Sequence, residues 1–243
     1  MLTTRTWITR PLWPDVAGAN GTASATLVAM TRLVLIRHGE SNSTVARVIG
    51  GHRTCSGLSP LGRKQAEALA ERLASTGEIV ADVLIASSFA RAIETAELIA
   101  PALGELAVTI DPEVGEHDPG PEYDGISFET YLDRHGMPDW EGDPHGIRFP
   151  GGESLAEFHH RVGQALHRIT SAHDGETIVI VCHGGVVDTA FRTLLRLPGS
   201  GLFELRTLNT AITELFRLRP GRWQLVRYND AAHLRGMPFE TAR

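Results

Sequence analysis

From Met30 onward, short apolar runs alternate with segments of helical period, and this alternation limits the fold more than any other feature. Leu33-Val34-Leu35-Ile36 is a continuous apolar run of strand length, the pattern of a strand buried on both faces. After a polar loop over residues 39–57, Ser59-Pro60 predicts a helix start, with serine as N-cap and proline at the first helical position. Leu61, Ala66, Leu69, Ala70 and Leu73 then recur at helical spacing, opposite Arg63, Lys64, Glu67 and Glu71. Residues 80–86 predict a second strand. Residues 91–100 predict a second helix with Ile93, Ala96, Ile99 and Ala100 facing inward, and residues 106–110 a third strand. Ser154-Leu155-Ala156-Glu157 is a capping box that opens a helix to about Thr170. Residues 177–182 form the most convincing strand. A helix follows over 185–195, then two strands over 211–218 and 223–227 joined at Pro220-Gly221. Strands alternating with helices predict an α/β fold: a three-layer sandwich with a mostly parallel central sheet and helices on both faces.

With 243 residues, 42% of them apolar, the chain can bury a large core without a disulfide or metal staple. Residues 30–243 read as a single domain. Residues 1–29 read as an extension or the product of a mis-assigned start. Ala23-Ser24-Ala25 resembles a signal-peptidase site, but residues 14–21 before it form no apolar run, which argues against secretion. Two cysteines, Cys55 and Cys182, are too few for a disulfide framework and fit a reducing, cytoplasmic setting. No apolar run approaches the roughly 18 residues of a membrane span. A net charge of −6 argues against a nucleic-acid partner. Residues 111–152 differ from the rest, with six of the thirteen prolines and eight glycines. Within 111–143 there are eleven acidic residues and one base, Arg134, so the remainder of the chain is net positive. This stretch reads as an acidic, loop-rich lid insertion.

In parallel sheets ligands bind beyond the carboxyl ends of the strands. Those ends carry Arg37-His38-Gly39-Glu40, Ser87-Ser88-Phe89-Ala90-Arg91, Glu116, and His183-Gly184-Gly185. Taken singly, a strand-end histidine is more often structural and an arginine more often a surface ion pair. Their convergence on one sheet edge changes that reading. Two guanidiniums and two imidazoles suit a dianion with paired oxygens, which arginine forks match well. A neutral histidine in such a pocket can attack phosphorus. A nearby carboxyl can protonate the leaving alkoxide and then activate water. Fixed cations can stabilise the transition state, so this chemistry calls for no metal and no cofactor.

Together these segments resemble the histidine phosphatase superfamily, also called the phosphoglycerate mutase-like family. The resemblance rests on Arg37-His38-Gly39-Glu40-Ser41, residues 58–66, residues 87–96, Glu116-His117-Asp118-Pro119-Gly120, Pro150-Gly151-Gly152-Glu153-Ser154 and Val181-Cys182-His183-Gly184-Gly185. It runs from about Arg32 to Leu218. One tripeptide is a weak signal; several motifs in the family's order are specific. The resemblance implies that His38 is the nucleophile that becomes phosphohistidine. It implies that Arg37, Arg91 and His183 hold the phosphoryl oxygens and that Glu116 is the proton donor, with Gly184 and Gly185 allowing close packing around His183. Members often carry asparagine six residues after the nucleophile. Thr44 stands there, so Thr44 and Asn42 are both candidate phosphate-binding residues. The spacing after Gly120 also departs from the family pattern, which leaves Glu113 as the fallback for Glu116.

The expected activity is hydrolysis of a phosphomonoester through phosphohistidine, with a small phosphorylated metabolite as partner. A mutase needs further cations for a second anionic group, and the acidic insertion argues against that. Phosphoglycerate mutase-like transfer and a non-catalytic phosphate-binding module are the alternatives. Other chemistries fail on spacing. Neither cysteine is followed by arginine as a cysteine phosphatase requires, and Arg63-Lys64 does not complete a P-loop. His159-His160 are adjacent on a helix and read as surface residues rather than metal ligands. Cys182 reads as a small core residue. Phe128, Tyr131, Trp140 and Phe149 either stack on the substrate or form the insertion's own core, the latter being favoured. Asn209 is a weak candidate for the site border, and an exposed edge strand leaves room for a homodimer.

Overall fold

The computed structural model describes residues 30–139, 142–201 and 204–237; the expected extension over 1–29 and Trp140 lie outside the described residues. In chain order the elements are β1 (Arg32–Arg37), α1 (Asn42–Val45), α2 (Pro60–Thr76), β2 (Val83–Ala86), α3 (Ala90–Ile99) and β3 (Val108–Ile110). There follow α4 (Gly120–Tyr123), α5 (Phe128–His135), α6 (Leu155–Ala172), β4 (Thr177–Cys182), α7 (Gly184–Leu194), β5 (Ile212–Arg219) and β6 (Arg222–Asp230). The sheet order is β3-β2-β4-β1-β5-β6. The first four strands run parallel, and β5 and β6 complete the sheet antiparallel.

The unbroken apolar runs of β1 and β4 are explained by cover on both faces. Leu33, Leu35, Ile178 and Ile180 pack against Phe158, Val162 and Leu166 of α6 and Val186, Val187 and Phe191 of α7. The alternate residues Val34, Ile36, Val179 and Val181 pack against Leu69 and Leu73 of α2 and Ala92, Ala96 and Ile99 of α3. The two helix starts read from the sequence are built as expected. The Ser59 hydroxyl accepts from Gly62 N at 3.0 Å, and Ser154 and Glu157 close a capping box.

Three local expectations need correction. The second strand begins at Val83 rather than 80, and Val80 is 77% exposed, because pairing starts at Val83 on the β4 side and at Leu84 on the β3 side. The third strand is likewise confined to Val108–Ile110. In α3 the inward residues are Arg91, Ala92, Thr95, Ala96 and Ile99, while Ile93 is only half-buried; the helix is rotated so that Arg91 faces the strand ends. The stretch 111–152 is less loop-like than its composition suggests, since it holds α4, α5 and a 3-10 turn at Pro112–Val114. It packs on the loop after β1: Ile49 N donates to Ile126 O at 2.9 Å and Gly125 N to Ile49 O at 2.8 Å. The buried Asp124 carboxylate accepts from Gly51 N at 3.0 Å, from Arg53 N at 2.7 Å and from the Thr54 hydroxyl.

The loop after β1 is held against the start of α2 by close backbone contact. A Cβ on Gly39 would stand 2.5 Å from Gly62 O, and one on Gly62 would collide with Glu40 O. Gly62→Ala raises helix propensity by about 1 kcal/mol, yet this collision should reverse the sign. Thermal unfolding of Gly62→Ala is expected to show a lower Tm than wild type. A raised Tm would contradict the packing described.

Candidate active site

Continued pairing beyond the strands places the motif residues in one row. Arg37 lies opposite Cys182 in the parallel register of β1 and β4, and His38 N donates to Cys182 O at 2.9 Å. Ser87 N donates to Val181 O at 3.1 Å, and Asp111 N to Ala86 O at 2.9 Å. His38, Ser87 and His183 therefore leave three neighbouring strands at the same level. His183 is the N-cap residue of α7 and has extended backbone, which turns its ring toward His38; the ring centroids are 5.0 Å apart. Gly185 has no room for a side chain, since a Cβ there would meet Phe158 at 3.1 Å and collide with Glu116 Oε1. Gly184 does not share this constraint, because its nearest contact would be an ordinary 3.8 Å to Arg37. The expectation of tight packing thus holds for the second glycine of the pair, while Gly184 lines the cavity.

Arg91 is the hub. It is 5% exposed, and its Nε donates to His38 Nε2 at 3.0 Å. Its two terminal nitrogens reach Gly50 O at 3.2 Å and His183 Nδ1 at 3.3 Å. Its guanidinium lies 4.3 Å above the Phe89 ring. The other ring nitrogens are also committed. His38 Nδ1 donates to Gly39 O at 2.6 Å, which leaves Nε2 as the lone-pair nitrogen facing Arg91. His183 Nε2 is bonded to the Ser87 hydroxyl at 2.6 Å. Arg37 donates to Thr207 O at 2.6 Å, and the buried Asn209 donates from Nδ2 to His38 O at 2.9 Å.

Arg37, His38, Thr44, Arg91, Glu116 and Gly184 line one cavity of about 890 Å³, with His183 buried behind it. Glu116 accepts from His117 N at 3.0 Å and from Gly185 N at 3.2 Å, so its carboxyl is fixed at the cavity wall. The fallback Glu113 is exposed on the 3-10 turn and is not brought to the cavity. Asn42 is also left out, because its amide bonds the Ser56 carbonyl and hydroxyl at 3.2 and 3.3 Å. Thr44 reaches the cavity with its hydroxyl 3.0 Å from that of Ser41. Its neighbour Ser43, which the motif spacing does not single out, also lines the cavity, and its buried hydroxyl has no hydrogen-bond partner among the described residues. Phe128 and Phe149 line the cavity, whereas Tyr131 is buried within the 111–152 segment against Tyr123 and His135. His159 is no surface residue: it lines the cavity, and burial pushes it down to about 4. Cys182 lies in the core, where burial pushes its thiol up. Among the described residues no three His, Cys, Asp or Glu side chains gather in a way that could hold a metal.

Burial, followed by the charges of Arg91 and Arg37, holds His38 well below the ordinary imidazole range. His183 is pushed the same way by burial, Arg91, His38 and Arg37. Both rings are therefore neutral at pH 7, and the arginines carry the charge. An unfolded histidine takes up a proton near pH 6.5, so below that pH the unfolded state binds more protons than the folded one. Stability should fall as pH drops from about 6.5, by about 1.4 kcal/mol per pH unit for each such histidine. Thermal unfolding between about pH 7.5 and 5.5 should show a falling Tm, with a shallower fall in His183→Asn. A flat profile would contradict neutral, buried imidazoles.

Comparison with known proteins gives the same answer. The family model for the histidine phosphatase superfamily (branch 1) matches residues 33–231. A phosphoglycerate mutase-like protein 4 of Arabidopsis thaliana is 32% identical over 216 residues, covering 87% of this chain and 90% of that protein. A metal-independent phosphoserine phosphatase of the same plant is 29% identical, covering 86% of each chain. The solved structure of an Entamoeba histolytica phosphoserine phosphatase mutant in complex with phosphoserine superposes with a TM-score of 0.68 at 26% identity, covering 84% of this chain and all of that one. On its motifs, its fold and these matches, the chain belongs to the histidine phosphatase superfamily.

Proposed function

We propose that the protein hydrolyses a phosphomonoester by transferring the phosphoryl group to His38 and then to water. The observation that carries this reading is the His38 imidazole. Its Nδ1 proton is tied to Gly39 O, its Nε2 keeps the lone pair and accepts from Arg91 Nε until a phosphoryl group takes that guanidinium, and the ring lines the cavity in its neutral form. A nitrogen so placed is a nucleophile that needs no further activation. Arg37 and Arg91 would take the equatorial oxygens as charge shifts toward the leaving alkoxide, and His183 would join them once the incoming dianion draws a proton onto its Nδ1. The His183 ring is oriented for this by the Ser87 hydroxyl. Glu116 would protonate the leaving oxygen and then take a proton from the attacking water, reversing its role between the two half-reactions. The cavity volume of about 890 Å³ leaves space for the organic group and for water beside the phosphohistidine.

The substrate belongs to the class of small phosphorylated metabolites. The cytoplasmic setting belongs to the same proposal and is supported by two free thiols at Cys55 and Cys182. No described helix is long and apolar enough to cross a membrane.

Turnover of p-nitrophenyl phosphate should persist in excess EDTA and vanish in His38→Ala. Turnover that survives the substitution would overturn the mechanism. Glu116→Gln separates the carboxyl's role from general damage. It should lower kcat/KM, which reports transfer to His38 and not the shared water step, by about 100-fold or more for an alkyl phosphate and far less for p-nitrophenyl phosphate, because nitrophenolate leaves without a proton. Equal losses of kcat/KM on both substrates would remove Glu116 as the acid.

A further inference from the structure

Along α7, Gly184, Asp188 and Arg192 recur every fourth residue, and all three line the same cavity. They form one stripe of the helix. At 1.5 Å rise per residue, Asp188 stands about 6 Å along the axis from the glycine at the phosphate end. That is the depth reached by the far end of a three-carbon phosphoester. This stretch of wall is where the organic part of a substrate must lie.

Arg192 is fully engaged there. Its Nε donates to Asp188 Oδ2 at 2.5 Å and one terminal nitrogen to Asp188 Oδ1 at 3.3 Å. The other terminal nitrogen donates to the Pro198 carbonyl. Its side chain is 10% exposed and that of Asp188 24%. A guanidinium held bidentately by one carboxylate offers no open fork to another. Glu204, itself exposed, adds a second carboxylate to the lining of the cavity, and His159, with its lowered pKa, adds no charge at neutral pH. Phe149, Leu155, Phe158 and Leu205 supply apolar lining to the same cavity. Among the described residues, Arg192 is the only arginine lining the cavity besides Arg37 and Arg91.

We infer that the Asp188–Arg192 pair sets the substrate class: by masking Arg192, Asp188 selects phosphomonoesters whose organic part carries no second anionic group. This inference rests on the phosphatase reading above. A carboxylate or second phosphate at this depth would meet the Asp188 carboxylate and an arginine that it already neutralises. An uncharged, hydroxylated or apolar group would meet hydrogen-bond acceptors and aromatic wall. The selection is by exclusion, which is how like charges discriminate between otherwise similar ligands.

The test compares glycerol 3-phosphate with 3-phosphoglycerate, which differ only in a hydroxymethyl or carboxylate group at the far end. Wild type should favour glycerol 3-phosphate in kcat/KM by about tenfold or more, with the difference mainly in KM. Asp188→Asn removes the mask with little change in shape and should narrow that ratio by about tenfold. The double variant Asp188→Asn/Arg192→Gln should lose the gain on 3-phosphoglycerate, because the unmasked cation is then gone. Unfolding curves check that each variant is folded. A wild-type preference for 3-phosphoglycerate overturns the inference. So does an Asp188→Asn effect equal on both substrates, or a gain that persists in the double variant. p-Nitrophenyl phosphate turnover that depends on His38 is measured in parallel. If it is present, these outcomes bear on Asp188 alone; if it is absent, the phosphatase reading falls and this inference with it.

Discussion

The site depends on a buried cation, Arg91, whose charge no anion among the described residues neutralises. Arg91 is almost completely enclosed, and its three hydrogen bonds go to His38, Gly50 O and His183, all neutral acceptors. Among the described residues it forms no ion pair. Burying a charge in this way costs free energy that the fold must supply from elsewhere. The supply comes from the doubly covered strands β1 and β4 and the helix starts packed on their ends. The consequence is a pocket that an incoming phosphoryl dianion completes. The guanidinium is already fixed beside the cavity, so little of it has to move as charge develops, the condition under which electrostatic stabilisation is most effective. Burial first, and then the same charge, keep His38 and His183 unprotonated.

The acidic composition of 111–152 has a local explanation as well. Several of its carboxylates are consumed in holding the segment against the rest of the domain. Asp124 clamps residues 51–54, and Asp111 pairs with Arg168 at 2.7 Å. Arg161 of α6 pairs with Glu153 at 2.7 Å and also donates to the carbonyls of Glu113 and Glu116 at 2.8 and 3.2 Å. That one arginine therefore fixes the backbone from which Glu116 reaches the cavity. Like charges along the sequence become separate anchors in space, so net charge alone is a poor guide to what the segment does.

Much of this architecture is legible in the sequence, for identifiable reasons. Apolar runs report strands covered on both faces, and Ser59-Pro60 and the Ser154–Glu157 box report helix starts, because these signals are local. The strand-end rule then gathers Arg37, His38, Arg91, Glu116 and His183 before any coordinates are known. What escapes depends on contacts distant in sequence. Ser87 stands 96 residues from the ring it orients, and Asn209 stands 171 residues from the His38 carbonyl it holds. Motif spacing points to Asn42 and Thr44 as equals. The short helix α1, capped by Ser41, turns Ser43 and Thr44 toward the cavity and leaves the Asn42 amide on Ser56. The strand expected from residue 80 starts three residues later, since an apolar side chain at 80 has no neighbouring strand to pair beside it. Asp188 and Arg192 belong to none of the motifs in the sequence. Only the cavity beside α7 gives them a part in substrate choice.

The central claim is that His38 carries the phosphoryl group between substrate and water. Its most direct measurement is covalent trapping. The enzyme is mixed with a phosphomonoester, quenched in alkali within the first turnover, digested and analysed by mass spectrometry. The account predicts an acid-labile, alkali-stable phosphoryl group on His38 that forms and decays at the rate of turnover. A quenched enzyme that turns over substrate with no label on His38, or with the label on another residue, would contradict it.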